Sequence, residues 1–294
     1  MPSIIPNVLI GTSTGAAALV TTLTSHWNGT STKFALASGV AYDAGDTLCI
    51  EPIADPGAAT DWQINIRRTN TTTFSILLDP SGTITDAGST GAGPTGASTM
   101  SSYADTWTLN TAATPITWFL CEWDDAVMLI TRDTTNSYHY QGFHSGRGYN
   151  PAVLGVPGIA DGFVNMCGTP VIYGSSGGAY WTSQSSTSST MRVGATGVTA
   201  TDWVRTVSPT PSYAVTITPN IGGVYYPTPI ALSPTTGYNR YVGFLKYLYL
   251  WNPTDTADTR LEDPVSGTDL WLHVAFNSSP NALVIPWPDA TPPK

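Results

Sequence analysis

Short apolar or alternating runs, broken by Gly, Pro, Asn and Asp at intervals of roughly 8–12 residues, restrict this chain more than any other feature, because they suit strands and turns and leave little room for helices. Within residues 61–67, Trp62, Ile64 and Ile66 alternate onto one face, and residues 73–78 follow as the expected partner strand. Residues 118–123 and 126–130 are apolar runs separated only by Asp124 and Asp125, a spacing that predicts a tight hairpin. Residues 213–218 alternate, 241–251 form a long aromatic and aliphatic run, and 270–276 read as the last good strand. One stretch argues for a helix: Ala16 to Val20, with Thr12 or Ser13 as its cap and Asn28-Gly29 as its stop. The expected fold is all-β, built as β-sandwich or barrel-like units with one short N-terminal helix and long Gly/Ser/Thr loops.

Residues 86–102 are almost wholly Gly, Ser, Thr, Ala and Pro, the composition of a loop or linker. They suggest an N-terminal β-rich section over 1–88, a linker over 89–102, and a larger β-sandwich or barrel domain over 103–294. A second run of Ser, Thr and Gln, 183–190, reads as an exposed loop tip. The proline-rich end after Asn277 is expected to be an extended tail, because proline supports neither a helix nor a central strand. No internal repeat is visible.

Charge narrows the function classes. Asp, Glu, Lys and Arg make up 11% of the chain, against about 25% in ordinary soluble domains. Lys33, Lys246 and Lys294 are the only lysines, whereas there are 45 Thr, 26 Ser, 28 Gly and 23 Pro. Such a surface is solvated by hydroxyls and turns. Coiled coils and charged bundles are excluded, and a net charge of −9 repels a phosphate backbone, so no nucleic-acid partner is expected. The N-terminus has no basic stretch before an apolar run, and no apolar segment is long enough to span a bilayer; neither a secretion signal nor a membrane partner is expected. Cys49, Cys121 and Cys167 lie far apart in apolar surroundings and read as small core residues rather than a disulfide framework.

The candidate chemistry is thin. Gly11-Thr12-Ser13-Thr14-Gly15 follows an apolar strand and precedes the helix, which is the context of a nucleophile elbow, and Gly174-Ser175-Ser176-Gly177-Gly178 repeats the pattern. A chain so rich in Gly, Ser and Thr produces these matches by chance, and the alternating strands and helices of a hydrolase scaffold are missing. His139 and His144 are five residues apart, which puts them on opposite faces of a regular strand, so no metal site is expected there. Asp255, Asp258, Glu262 and Asp263 are the densest acidic cluster but lack calcium-loop spacing. Asp124 and Asp125 could be paired acid–base carboxylates; adjacent turn residues point apart, and both read as solvated turn formers. No catalytic residue, metal or cofactor is therefore expected. Most tryptophans fall in strand runs, where packing explains them. Trp251, Trp271 and Trp287, with Pro286 and Pro288, are the candidate interface or ligand contacts.

The order of these segments resembles a family of uncharacterised virion structural proteins of tailed bacteriophages. The resemblance runs through Gly11 to Gly15 leading into Leu19, Val20, Leu23 and Trp27, then Tyr42-Asp43-Ala44-Gly45-Asp46, then the strand around Ile64 with Arg67-Arg68. It continues through Trp107, the 118–130 hairpin, the aromatic and glycine-rich 138–148, residues 241–249, and Trp271-Leu272-His273-Val274. The resemblance implies a non-enzymatic structural component of the particle surface or tail. Such a part, whether tail tip, baseplate, collar or head decoration, with the tail favoured, would form a symmetric homo-oligomer and contact other virion proteins. The alternatives are a carbohydrate-recognition module on a fibre or spike, binding a surface glycan through exposed Trp and Tyr, and a hydrolase built around Ser13 or Ser176.

Overall fold

A computed structural model describes residues 5–54, 62–79, 82–87, 105–109, 115–133, 140–147, 162–168, 191–195, 204–205, 207–209, 220–221, 224–225, 228–234, 243–251, 260–262, 269–274 and 282–286. The chain opens with β1 (Asn7–Ser13), the helix α1 (Ala16–Trp27), β2 (Phe34–Leu36), β3 (Thr47–Pro52), β4 (Gln63–Arg68), β5 (Thr73–Asp79) and β6 (Asp105–Thr108). It continues with β7 (Ile116–Glu122), β8 (Ala126–Asp133), β9 (Tyr140–Arg147), β10 (Gly162–Gly168), β11 (Met191–Ala195) and β12 (Val204–Arg205). The remaining strands are β13 (Val207–Pro209), β14 (Asn220–Ile221), β15 (Val224–Tyr225), β16 (Thr228–Pro234), β17 (Gly243–Trp251), β18 (Arg260–Glu262), β19 (Asp269–Val274) and β20 (Ala282–Pro286). Among the described residues the fold is mostly antiparallel β with one short helix, as the punctuation of the sequence predicts.

Three larger sheets form. β2 to β6 make a five-stranded meander in chain order; β1 joins β7 to β12 in a seven-stranded sheet of order β1-β7-β8-β9-β10-β11-β12; a six-stranded sheet has the order β13-β16-β17-β20-β19-β18. The first two pack face to face. Leu48, Ile50, Ile64, Ile66, Phe74, Ile76 and Leu78 meet Ile116, Trp118, Leu120, Val127, Leu129, Phe143 and Cys167 in one apolar core. The period of two in each strand produces this face. Leu19, Val20, Leu23 and Trp27 project from α1 into the same core at helical spacing. Cys49 and Leu77, on the reverse of the five-stranded sheet, are covered by Ala37, Val40, Ile84 and Ala87.

Both larger N-terminal sheets draw strands from either side of residues 89–102: β1 pairs with β7, and β5 pairs with β6. That segment itself lies outside the described residues, and it does not separate one sheet from another. The helix cap differs from expectation. β1 continues through Ser13, so Gly15 rather than Thr12 or Ser13 is the N-cap and no side chain caps the helix. The stop is as read: Asn28 closes the helix, and Gly29 takes a φ of 126°, a conformation that favours glycine. The chain end also differs. β20 lies between β17 and β19, and Pro286, its last residue, pairs with Trp271 in register. Proline is tolerated there because its missing N–H falls where the ladder stops. Among the described residues no helix is long and apolar enough to cross a membrane.

Candidate functional site

Among the described residues, a dense set of interacting polar groups surrounds the β7–β8 hairpin. Its turn is closed by the Trp123 N–H donating to the Ala126 carbonyl at 2.9 Å, which leaves Asp124 and Asp125 at the tip as expected. The three acids Glu122, Asp124 and Asp125 then diverge toward three different parts of the molecule.

Glu122, the last residue of β7, is buried against the C-terminal end of α1. Its Oε1 accepts the Trp27 indole N–H at 2.6 Å and the Ser31 hydroxyl at 2.9 Å, and His26 Nε2 lies 2.9 Å from Oε2. The local sequence makes this possible. Trp27 and His26 end the helix, and the turn at Gly29 brings Ser31 back, its N–H donating to the His26 carbonyl at 3.0 Å. Three side-chain contacts satisfy a carboxylate that would otherwise be costly to bury.

Asp124 faces Lys33, with Nζ 2.5 Å from Oδ1, and both side chains stay partly exposed, at 25% for the lysine and 30% for the aspartate. Asp125 turns the other way. Its side chain is only 2% exposed; Oδ2 lies 2.5 Å from Lys246 Nζ, and Oδ1 accepts the Tyr247 hydroxyl at 2.6 Å. Its main-chain carbonyl accepts the Arg147 N–H at 2.8 Å. The expectation that both aspartates are solvated turn formers therefore fails for Asp125. They do point apart, and that is what lets the hairpin hold two separate segments.

Lys246 and Tyr247 reach the hairpin through an irregularity in β17. Pro229 pairs with Tyr249 and Ala231 with Phe244, so residues 245–248 stand opposite Ile230 alone and bulge from the ladder. Tyr247 sits at a φ of 67°, which is unfavourable for a non-glycine residue. Its ring stacks on Trp123 at 4.5 Å between centroids with an interplanar angle of 7°. Burial first, and then the charge of Asp125, push the phenol well above its usual range, so it remains a donor.

Trp123 also meets His144 of β9 edge-on, at 6.2 Å between centroids. His144 is 1% exposed, and burial pulls its imidazole down to about 3. Cys121 and Cys49 are likewise buried, and desolvation drives both thiols well above their usual range. All three cysteines are buried and none forms a disulfide, as their apolar surroundings suggested.

The serine and histidine motifs have other surroundings. Ser13 is buried, and its hydroxyl accepts the Trp118 indole N–H at 2.9 Å, while the ring lies over Gly11, its partner in register. Gly11 and Ser13 thus make room for an indole and satisfy it. Ser176 and His139 lie outside the described residues, as do Asp255, Asp258 and Asp263, and the alternating run 213–218. Among the described residues no group of three or more His, Cys, Asp or Glu could hold a metal ion. Of the five candidate contact residues, Trp251 ends β17 opposite Ala282, Trp271 pairs with Leu261 and Pro286, and Pro286 is buried. Trp287 and Pro288 lie outside the described residues.

Sequence reasoning missed the lysines. Lys33 and Lys246, two of the three in the chain, both end on this hairpin, 91 residues before and 121 residues after their partners. The available signal was their rarity itself, in a chain solvated by hydroxyls. No protein-family model matches the chain, and no curated protein matches it.

Proposed function

We propose that the chain is a non-enzymatic structural component of a tailed-bacteriophage virion, at the particle surface or tail, where it assembles with itself and with other virion proteins. The resemblance in layout motivates the particle. The observation that carries the structural role is the hairpin: its three acids all engage internal partners, on α1, on the segment before β2, and on β17. Glu122 and Asp125, buried and held by fixed donors, are poor proton shuttles but good ties between layers.

The surface is consistent with assembly. β1 ends the seven-stranded sheet and exposes Ile10 at 40%. Edge strands of this kind add strands from neighbouring chains. Trp27, Trp62, Trp118 and Trp123 are core residues, so these four present no face to a sugar. The test is light scattering of the purified chain together with immunogold labelling of particles from an infected culture. A symmetric oligomer and labelled particles are expected. A strictly monomeric protein absent from particles would overturn the proposal.

A further inference from the structure

The two lysine–aspartate pairs of the hairpin have the same N···O distance, 2.5 Å, but different surroundings. Lys33 and Asp124 are each a quarter or more exposed, so water solvates both charges. Asp125 is sealed from solvent, Lys246 is one-fifth exposed, and the second carboxylate oxygen already accepts the Tyr247 hydroxyl at 2.6 Å. The bulge in β17 and the unfavourable φ of Tyr247 bring amine and phenol together onto one carboxyl group, and Arg147 anchors that residue's main chain.

From this arrangement we propose that Lys246 Nζ and Asp125 Cγ condense spontaneously into an intramolecular amide, a covalent cross-link between the β7–β8 hairpin and β17. The Lys246 ammonium passes one proton to Oδ2, and the freed lone pair attacks Cγ. Negative charge gathers on Oδ1, where the Tyr247 O–H is already placed to stabilise it, as in an oxyanion hole. Oδ2 then leaves as water, carrying that proton and a second one from Nζ. One C–N bond forms and one C–O bond breaks, and no oxidant or cofactor is required.

Two physical effects favour the amide. Burial makes a separated charge pair expensive, whereas the amide is neutral. Fixed reactants also act at effective concentrations that can reach about 10⁵–10⁸ M, which shifts an unfavourable condensation in water toward product. Lys33 and Asp124 lie equally close but keep water on both charges, so they remain an ion pair and serve as the internal control. The inference stands independently of the virion reading.

The experiment is intact-mass spectrometry of the denatured full chain, followed by peptide mapping. The expected result is a chain lighter by one water, with a branched peptide joining Lys246 to Asp125. Lys246→Arg, which keeps the charge but cannot form this amide, should restore the full sequence mass; Tyr247→Phe should leave a larger uncondensed fraction. A wild-type chain of full sequence mass overturns the proposal without reference to any variant. So does a branch at Lys33–Asp124, or a water loss that persists in Lys246→Arg.

Discussion

Acid should destabilise this protein through His144 in a way that one substitution isolates. Its imidazole is buried beside Trp123 with a folded-state pKa of about 3, against an unperturbed value of 6.5. As pH falls below that unperturbed value, the unfolded chain takes up a proton while the folded chain does not. Unfolding is therefore favoured by about 1.4 kcal/mol for each unit of pH, until the folded-state value is reached. Near pH 4.5 the accumulated loss is about 3 kcal/mol, a large share of the roughly 5–15 kcal/mol that stabilises a typical domain. The assay is urea denaturation of the wild type and His144→Leu near pH 7 and again near pH 4.5. Any packing or hydrogen-bond change from the substitution enters as a constant offset at both pH values. Carboxylates that titrate in both proteins cancel in the comparison. The variant should lose about 3 kcal/mol less than the wild type between the two conditions. Parallel pH profiles would refute the claim that His144 is held neutral by burial.

Three further substitutions probe the packing and the hairpin. Gly11→Ala drives a Cβ into the Trp118 ring; overpacking of this kind costs about 1–3 kcal/mol, so the melting temperature should drop, and an unchanged melt would show that the indole has room to move. Glu122→Gln removes the charged acceptor shared by Trp27, Ser31 and His26; a loss of about 3 kcal/mol in chemical denaturation is expected, and a loss below 1 kcal/mol would mean the cluster is a minor contributor. Asp124→Ala breaks only the partly exposed pair with Lys33, so it should cost less than about 1 kcal/mol; a larger loss would mean that solvent does not screen the pair.

Local sequence made much of the fold legible. The alternation of Trp62, Ile64 and Ile66 identifies the core face of β4, and Asp124-Asp125 between two apolar runs identifies the hairpin. Asn28-Gly29 marks the helix end. What escaped depended on distant partners. Ser13 looked like a cap because nothing nearby in sequence shows that β1 runs on to pair with Ile116 and that Trp118 takes the hydroxyl. The 282–286 segment looked like a tail because proline argues against a central strand. Yet only Pro286 lies within it, at the terminal position where a missing donor does no harm.

The buried state of Asp125 is the sharpest case. Turn rules place aspartate in water because a carboxylate left alone in an apolar site is unstable. Those rules hold when no cation is near, and in this chain cations are rare. Lysine scarcity therefore bears on site as well as surface: where lysine is not used for general solvation, each one present has a specific location to account for. Lys33 and Lys246 both locate on the same turn, one at the rim and one inside. Reaching the inner position requires β17 to bulge and Tyr247 to adopt a φ of 67°. Backbone distortion of that kind persists only where surrounding contacts hold it. The contacts that hold it here are the Trp123 stack and the two bonds to Asp125. Removing the lysine side chain alone should consequently leave an uncompensated carboxylate and a strained strand together, which makes Lys246 the position where the hairpin and β17 depend on each other most.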